Sequence, residues 1–270
     1  MIDPTVFCDR YGPWALVTGA AEGLGAEFAR QLADRGLNLV LVDRQPDPLR
    51  EVAQELEHTT AAQVRTVVTD LAQRDFLLRI EQTTADLEVG LVISCAAVSP
   101  LGPLLDLDLE SQLAALRSNC EAPLSLAHAY GRAMRRRRRG GILLVSSLSA
   151  LQGTPLVATY AATKAFNLVL AESLWAELRE HDVHVLAVLP GPTATPGYWA
   201  SEPRTDGLAA RLVMSSGDVV TDALDALGGS PTRVSGPWNR LSAFVLGRLL
   251  PRRLAVSFIA GQMRRLYPHR

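Results

Sequence analysis

The sequence predicts an α/β fold in which a doubly wound parallel sheet carries helices on both faces. Three observations lead there. Short aliphatic runs recur along the first two thirds of the chain, each too apolar to alternate, as strands buried on both faces are. Helix-length segments separate them, which requires βαβ units with right-handed crossovers. The 270 residues are 48% hydrophobic and 20% charged, enough apolar material for one large core and too much for a disordered chain.

Taken in order, Trp14–Thr18 is the first strand, followed by a glycine-bearing turn at Gly19–Gly25 and a helix through about Ala33. Leu37–Val42 is the second strand, Pro48–Glu57 a helix, and Val64–Val68 the third strand. After another helix come Leu91–Ser94, then Ile142–Ser146 and Val183–Leu189. The five arginines Arg135–Arg139, followed by Gly140-Gly141, read as a solvated helix C-terminus closed by glycine, because no aromatic residue is interleaved as a nucleic-acid patch would need. After Pro196 the alternation stops. Gly197–Met214, with Tyr198, Trp199, Val213 and Met214, reads as a flap over an apolar small-molecule pocket. Pro237–Tyr267 is apolar and basic with a central Pro251; it completes the core and a subunit interface or touches a membrane surface, and core packing is the commoner outcome. The expected division is thus a single domain over 1–270, with a core at 12–196, a substrate flap at 197–215 and a helical C-terminal extension at 216–270.

Composition excludes several classes of function. The formal net charge of −1 gives no global field for nucleic acid. No run of apolar residues is long enough to span a bilayer, and the first twelve residues lack the apolar core of a signal peptide. Cys8, Cys95 and Cys120 leave one unpaired in any disulfide scheme and match no metal-ligand spacing, so no metal is expected and the expected compartment is the reducing cytoplasm.

The first βα turn reads Thr18-Gly19-Ala20-Ala21-Glu22-Gly23-Leu24-Gly25. Glycines at 19, 23 and 25 permit a tight turn and a close backbone approach to a pyrophosphate at the N-terminus of the next helix. Thr18, Ala21 and Leu24 belong to the same candidate dinucleotide loop. Asp43 ends the second strand, where a carboxylate accepts both ribose hydroxyls and repels a 2′-phosphate. Glu22 adds negative charge at that corner and Arg44 opposes it, so NAD is the expected cofactor and NADP the alternative. Asp70, with Leu71 beside it, stands where it borders the adenine or merely caps a helix.

Of 27 basic residues, 26 are arginine, and the one lysine lies in Tyr160-Ala161-Ala162-Thr163-Lys164. Positions i and i+4 share a helix face. A phenol titrates near 10, too high for a good base at neutral pH, and a neighbouring ammonium together with an oxidised nicotinamide stabilises its phenolate. Ser147, thirteen residues earlier at a strand end, reaches the same carboxyl edge of the sheet.

With these residues in hand, the sequence from Trp14 to Pro196 resembles the short-chain dehydrogenase/reductase family, whose fold is Rossmann-like. The family's TGxxxGxG loop is similar to Thr18–Gly25. Its Ser, Tyr and Lys correspond to Ser147, Tyr160 and Lys164 at the family spacing. The resemblance implies a proton-relay asparagine at Asn119, and a PGxxxT segment at Pro190-Gly191-Pro192-Thr193-Ala194-Thr195 that brings Pro190, Gly191, Thr193 and Thr195 to the nicotinamide end. The family's NNAG segment is replaced by Ser94-Cys95-Ala96-Ala97, which keeps Ala96 as a cofactor contact but loses both asparagines. Support for that segment must therefore come from elsewhere.

The resemblance implies reversible hydride transfer between nicotinamide and a secondary alcohol or ketone of an apolar small molecule. In it Tyr160 exchanges the proton, Ser147 holds the substrate oxygen, and Lys164 also binds the nicotinamide ribose. It further implies a homodimer or homotetramer paired through helices spanning about Leu109–Met134 and Thr159–Arg179. Two other readings stay open: an NADPH-dependent ketoreductase with Arg44 on the 2′-phosphate, and a non-catalytic dinucleotide-binding scaffold.

Overall fold

A computed structural model describes residues 4–204 and 212–269. Its centre is a seven-stranded, wholly parallel sheet in the order β3-β2-β1-β4-β5-β6-β9. The strands are β1 (Trp14–Thr18), β2 (Asn38–Asp43), β3 (Val64–Val68), β4 (Val89–Ser94), β5 (Gly140–Val145), β6 (Val183–Leu189) and β9 (Thr232–Val234). A separate pair, β7 (Thr193–Ala194) and β8 (Met214–Ser215), closes the chain after β6. The predicted doubly wound fold is what forms, and the strands of the first half fall within two residues of their expected limits.

The strands are apolar throughout because both faces are covered. Ala15 and Val17 of β1, Leu39 and Leu41 of β2, Ile93 of β4 and Leu143 of β5 point to one side. There they meet Phe7 of α1 (Pro4–Tyr11), Phe28 and Leu32 of α2 (Gly23–Asp34), and Leu49 and Leu56 of α3 (Pro46–Thr59). Their neighbours Leu16, Val40, Val42, Val92 and Ile142 point to the other side. That face is covered by Phe76 and Ile80 of α4 (Phe76–Thr84), Leu126 and Met134 of α6 (Ala122–Arg137), and Leu178 of α7 (Ala158–Leu178). Alternation within each strand thus divides the side chains between two cores, each buried leucine contributing roughly 2 kcal/mol.

Four expectations are corrected. First, the alternation does not stop at Pro196. α9 (Ser216–Ala226), capped by Ser215 at its Asp218 N–H, packs on α2 and feeds β9, which pairs with β6. A three-residue strand in which no residue is fully buried has no apolar run to announce it. Second, Gly140 and Gly141 do not end α6. Arg138 does so in the left-handed region (φ 53°), and the glycines open β5, where a side chain would strike Met134 and Tyr11. Three of the five arginines there are engaged: Arg137 donates to the Val89 carbonyl, while Arg138 pairs with Asp182 and Arg139 with Glu88.

Third, the helix expected over Leu109–Met134 is divided. α5 (Leu109–Leu116) runs into a π-helical turn at Arg117–Glu121 before α6 begins. Pro123 has no N–H to give the Asn119 carbonyl, which is where a regular helix would need one. Fourth, α10 (Pro237–Phe244) and α11 (Arg252–Leu266) do not complete the core. Only Asn239 and Ala255 are buried in them, while Trp238, Leu241, Phe244, Leu254 and Phe258 are each more than half exposed.

Candidate active site

Strand order reverses between β2 and β4, on either side of β1, so the crevice of this sheet opens at the carboxyl ends of β1 and β4. The glycine loop fills that position. Gly19 (φ 71°) lies so close to the β4 end that a side chain would come within 2.8 Å of the Ala96 backbone. A side chain on Gly25 would meet the Gly19 carbonyl at 1.9 Å, so helix α2 can enter only at a glycine. Gly23 (φ 58°) faces Thr195, bringing the first and last candidate cofactor segments together.

The loop also fits a pyrophosphate electrostatically. No side chain caps the N-terminus of α2: Glu22 occupies the cap position in extended backbone, exposed, without accepting a bond from the first turn. The free N–H groups and the helix dipole therefore remain to receive an anion. At the ribose corner Asp43 is held by backbone donors on both sides, Ala21 N–H to Oδ2 at 3.1 Å and Gln45 N–H to Oδ1 at 3.0 Å. Arg44 is exposed instead, and with Asp70 it lines an open cleft of about 820 Å³. Asp70 accepts from Ala72 N–H at 2.9 Å and closes a turn. The side chains of Leu71 and Ala21 go into the two cores, and Leu24 packs against one of them.

The altered Ser94–Ala97 segment has its support. Thr18, fully buried, accepts from Cys95 N–H at 3.1 Å and Ala96 N–H at 3.3 Å. Asn119, also fully buried, clasps the backbone of Val98 from both directions, accepting from its N–H and donating to its carbonyl, each at 2.8 Å. Asn119 donates further to Thr163 Oγ1 at 3.1 Å, so its side chain contacts Thr163. Cys95 packs against the core, and burial pushes its thiol up to about 12, far from a reactive thiolate.

Ser147 follows β5, where it caps a short 3₁₀ turn at Leu148–Leu151, its Oγ accepting from Ser149 N–H at 3.2 Å. Tyr160 and Lys164 rise from α7 one turn apart. Lys164 is 2% exposed, and its Nζ donates to the Val145 carbonyl at 2.7 Å while lying 5.4 Å from the centre of the Tyr160 ring. Burial without a carboxylate partner brings the lysine down to about 8. Burial also raises the Tyr160 phenol, and the nearby Ser147 hydroxyl opposes that rise.

Past β6, Leu148 N–H donates to the Pro190 carbonyl, and Thr193 Oγ1 donates to the Gly191 carbonyl. Thr195 caps the short helix α8 (Pro196–Ala200), accepting from Tyr198 N–H at 3.2 Å. The flap expected over Gly197–Met214 is therefore α8 followed by residues that include 205–211, which lie outside the described ones.

Several partners have no local signal in the sequence. Ser146 ties its Oγ to the Lys164 carbonyl at 2.7 Å. Buried Asn239, from α10, fills the space a side chain on Gly191 would need. Tyr267 meets Ser201 at 2.9 Å, and Arg252 donates to the Leu151 carbonyl at 2.9 Å, so α11 borders the cleft from the far end of the chain. Thr163, by contrast, lies inside the Tyr160–Lys164 segment.

The sequence profile of the short chain dehydrogenase family matches residues 13–205. The 7beta-hydroxysteroid dehydrogenase of Clostridium sardiniense is 31% identical over 234 residues, covering 87% of this chain and 89% of that protein. The 17-beta-hydroxysteroid dehydrogenase type 3 of Mus musculus is 30% identical over 224 residues, covering 82% and 71%. Among solved structures, one from work on 7beta-hydroxysteroid dehydrogenase stereoselectivity superposes with a TM-score of 0.89 at 25% identity, covering 94% of this chain and 98% of that one. A short-chain dehydrogenase from Sphingobium yanoikuyae in complex with NADPH superposes with a TM-score of 0.75 at 28% identity, covering 88% and 94%.

Proposed function

This chain belongs to the short chain dehydrogenase family, and from that premise we propose that it is an NAD(H)-preferring dehydrogenase of a bulky, apolar secondary alcohol of the hydroxysteroid kind. It is an NAD(P)-dependent oxidoreductase that interconverts a secondary alcohol and a ketone. The observation that carries the assignment of residues is the carboxyl edge of the sheet, where Ser147 follows β5 and a buried Lys164 holds its ammonium 5.4 Å from the centre of the Tyr160 ring.

In this reading Thr18, Gly19, Gly23 and Gly25 shape the loop that receives the pyrophosphate, and Asp43 takes the adenosine ribose. Ala96, Pro190, Gly191, Thr193 and Thr195 border the nicotinamide half. When bound, the nicotinamide accepts or supplies the hydride. The rest falls to side chains. Ser147 orients the substrate oxygen, and Tyr160 exchanges a proton with that oxygen through its hydroxyl. Lys164 places its charge where a phenolate needs it. Asn119 braces Val98 and Thr163, and so positions the Tyr160–Lys164 turn. Preference for NAD(H) is supported by the orientation of Asp43 into the loop while Arg44 stays exposed.

The substrate class is supported by the likeness to hydroxysteroid dehydrogenases and by the helices α8 and α11 that border the cleft. We read the chain as one domain, with α9 and β9 joined to the core and α10 and α11 as the extension. A cytoplasmic location is supported by three free cysteines, and no described helix is long and apolar enough to cross a membrane. Homo-oligomerisation through α5–α6 and α7 is supported by exposed Leu109, Leu116, Leu124, Phe166 and Val169.

The test is an assay of purified protein with NAD⁺ or NADP⁺ against hydroxysteroids and small alcohols such as cyclohexanol, read by nicotinamide absorbance. Faster turnover of steroid with NAD⁺ is expected. Turnover of cyclohexanol alone overturns the substrate class, and a dinucleotide bound without turnover of any alcohol overturns the enzyme reading in favour of a scaffold.

A further inference from the structure

We propose that the C-terminal helices α10 and α11 form a docking face for an anionic lipid surface. The first support is segregation of charge. Residues 226–270 hold eight arginines and no aspartate or glutamate, whereas the first 225 residues hold nineteen basic and twenty-eight acidic side chains. A chain that is nearly neutral overall therefore presents one strongly cationic end. Arg233 and Arg240 pair with Asp222 of α9, but among the described residues Arg248, Arg253, Arg264 and Arg265 are exposed and none has a carboxylate within salt-bridge distance, unlike the arginines that follow α6.

The second support is the apolar surface that the same two helices expose. Trp238, Leu241 and Phe244 recur every third residue along α10, which places them on one face, and they are 65, 53 and 56% exposed. Leu254 and Phe258, one turn apart on α11, are 55 and 52% exposed, and Arg265 lies on the same stripe. Tryptophan and phenylalanine flanked by arginine are what an interfacial helix uses: rings enter the headgroup boundary while guanidinium groups meet lipid phosphate. A second copy of the chain fits this face poorly. Two-fold pairing would set unpaired arginines against unpaired arginines, with no acid in the segment to relieve them. Arg252 ties α11 to the Leu151 carbonyl, and Val256 packs beside Gly153, so a bound bilayer lies next to the cleft that begins at Ser147.

The experiment is flotation of the full chain with vesicles of phosphatidylcholine alone and with about one third phosphatidylglycerol, at low salt and at about 0.5 M salt. The expected result is binding to the anionic vesicles only, released by salt. An Arg253→Glu/Arg264→Glu/Arg265→Glu variant is expected to bind about a hundredfold more weakly, at about fivefold per arginine removed, with dinucleotide binding unchanged as the check on folding. Trp238→Ser weakens binding without altering its salt dependence. Equal binding to neutral vesicles, or no binding at low salt, overturns the proposal whatever the variants do. So does a triple variant that binds like the parent, or one that changes the oligomeric mass in light scattering and thereby marks the face as a subunit contact. Vesicle binding is read without turnover, so its failure and failure of the proposed activity are separate results.

Discussion

Lys164 holds its ammonium 5.4 Å from the centre of the Tyr160 ring, anchored at 2.7 Å to the carbonyl of Val145 on the neighbouring strand. Helix periodicity alone puts the two residues on one face. The carbonyl at the end of β5 is what keeps the lysine from turning to solvent, and it makes the pair a fixed unit. Tyr160→Phe keeps that unit's shape and removes the exchangeable proton. Turnover is expected to fall by about 10²–10⁴, while NADH affinity, measured by fluorescence titration, changes by less than about threefold. Near-parental turnover would remove Tyr160 from the chemistry.

The same lysine is expected to cost stability. Buried and without a carboxylate partner, it is brought down to about 8 from an ordinary 10.5, so the unfolded chain binds its proton more tightly between those values. The penalty is complete below pH 8 and fades as the pH rises toward 10.5. Lys164→Met should abolish turnover yet raise the thermal midpoint of the cofactor-free protein at pH 7 by roughly 2–6 °C. A lowered midpoint would mean that the bond to Val145 outweighs the buried charge.

Asp43 is poised by Ala21 N–H and Gln45 N–H with its carboxylate in the loop. Asp43→Ser removes charge-assisted bonds worth about 1.5–3 kcal/mol each and leaves Arg44 as the principal charge at that corner. Parallel titrations should show NADH affinity falling by about tenfold to a hundredfold and NADPH affinity rising. A parent protein that already prefers NADPH would show that Arg44 governs the corner.

Asn119→Ala strips three buried hydrogen bonds, two to Val98 and one to Thr163. Leaving the Val98 N–H and carbonyl unpaired should destabilise by about 2–4 kcal/mol in urea unfolding. A loss below about 1 kcal/mol would mean that water replaces the amide at no penalty, and that the loop after β4 does not depend on the clasp.

His184 accepts or shares a 2.6 Å bond with Tyr11, and burial, aided by Arg10, lowers its affinity for a proton below the ordinary 6.5. A base with a depressed folded pKa contributes stability that is complete above 6.5 and is lost as the pH falls from there toward the folded value. The urea midpoint should therefore drop between pH 7.5 and 5.5, and His184→Gln should flatten that drop. An unchanged slope in the variant would assign the acid sensitivity to carboxylates elsewhere.

The doubly wound sheet, its first six strands, the glycine loop and the positions of Ser147, Tyr160 and Lys164 were all legible in the sequence. Each rests on a local cause: an apolar run dictated by burial on both faces, a glycine needed at a positive φ, or a pair one helical turn apart. What the sequence could not show came from contacts between distant segments. β9 is a strand only because β6 offers it an edge, and Gly140-Gly141 are strand residues only because Met134 and Tyr11 crowd them. Thr18 and Asn119 take over the support of the loop after β4 from positions 77 and 21 residues away. The exposure of α10 and α11 ran against expectation, since core packing is the commoner fate of an apolar and basic segment. Only the packing of the whole chain determines which neighbours a side chain finds, and hence whether its apolar surface is buried or left for something else to cover.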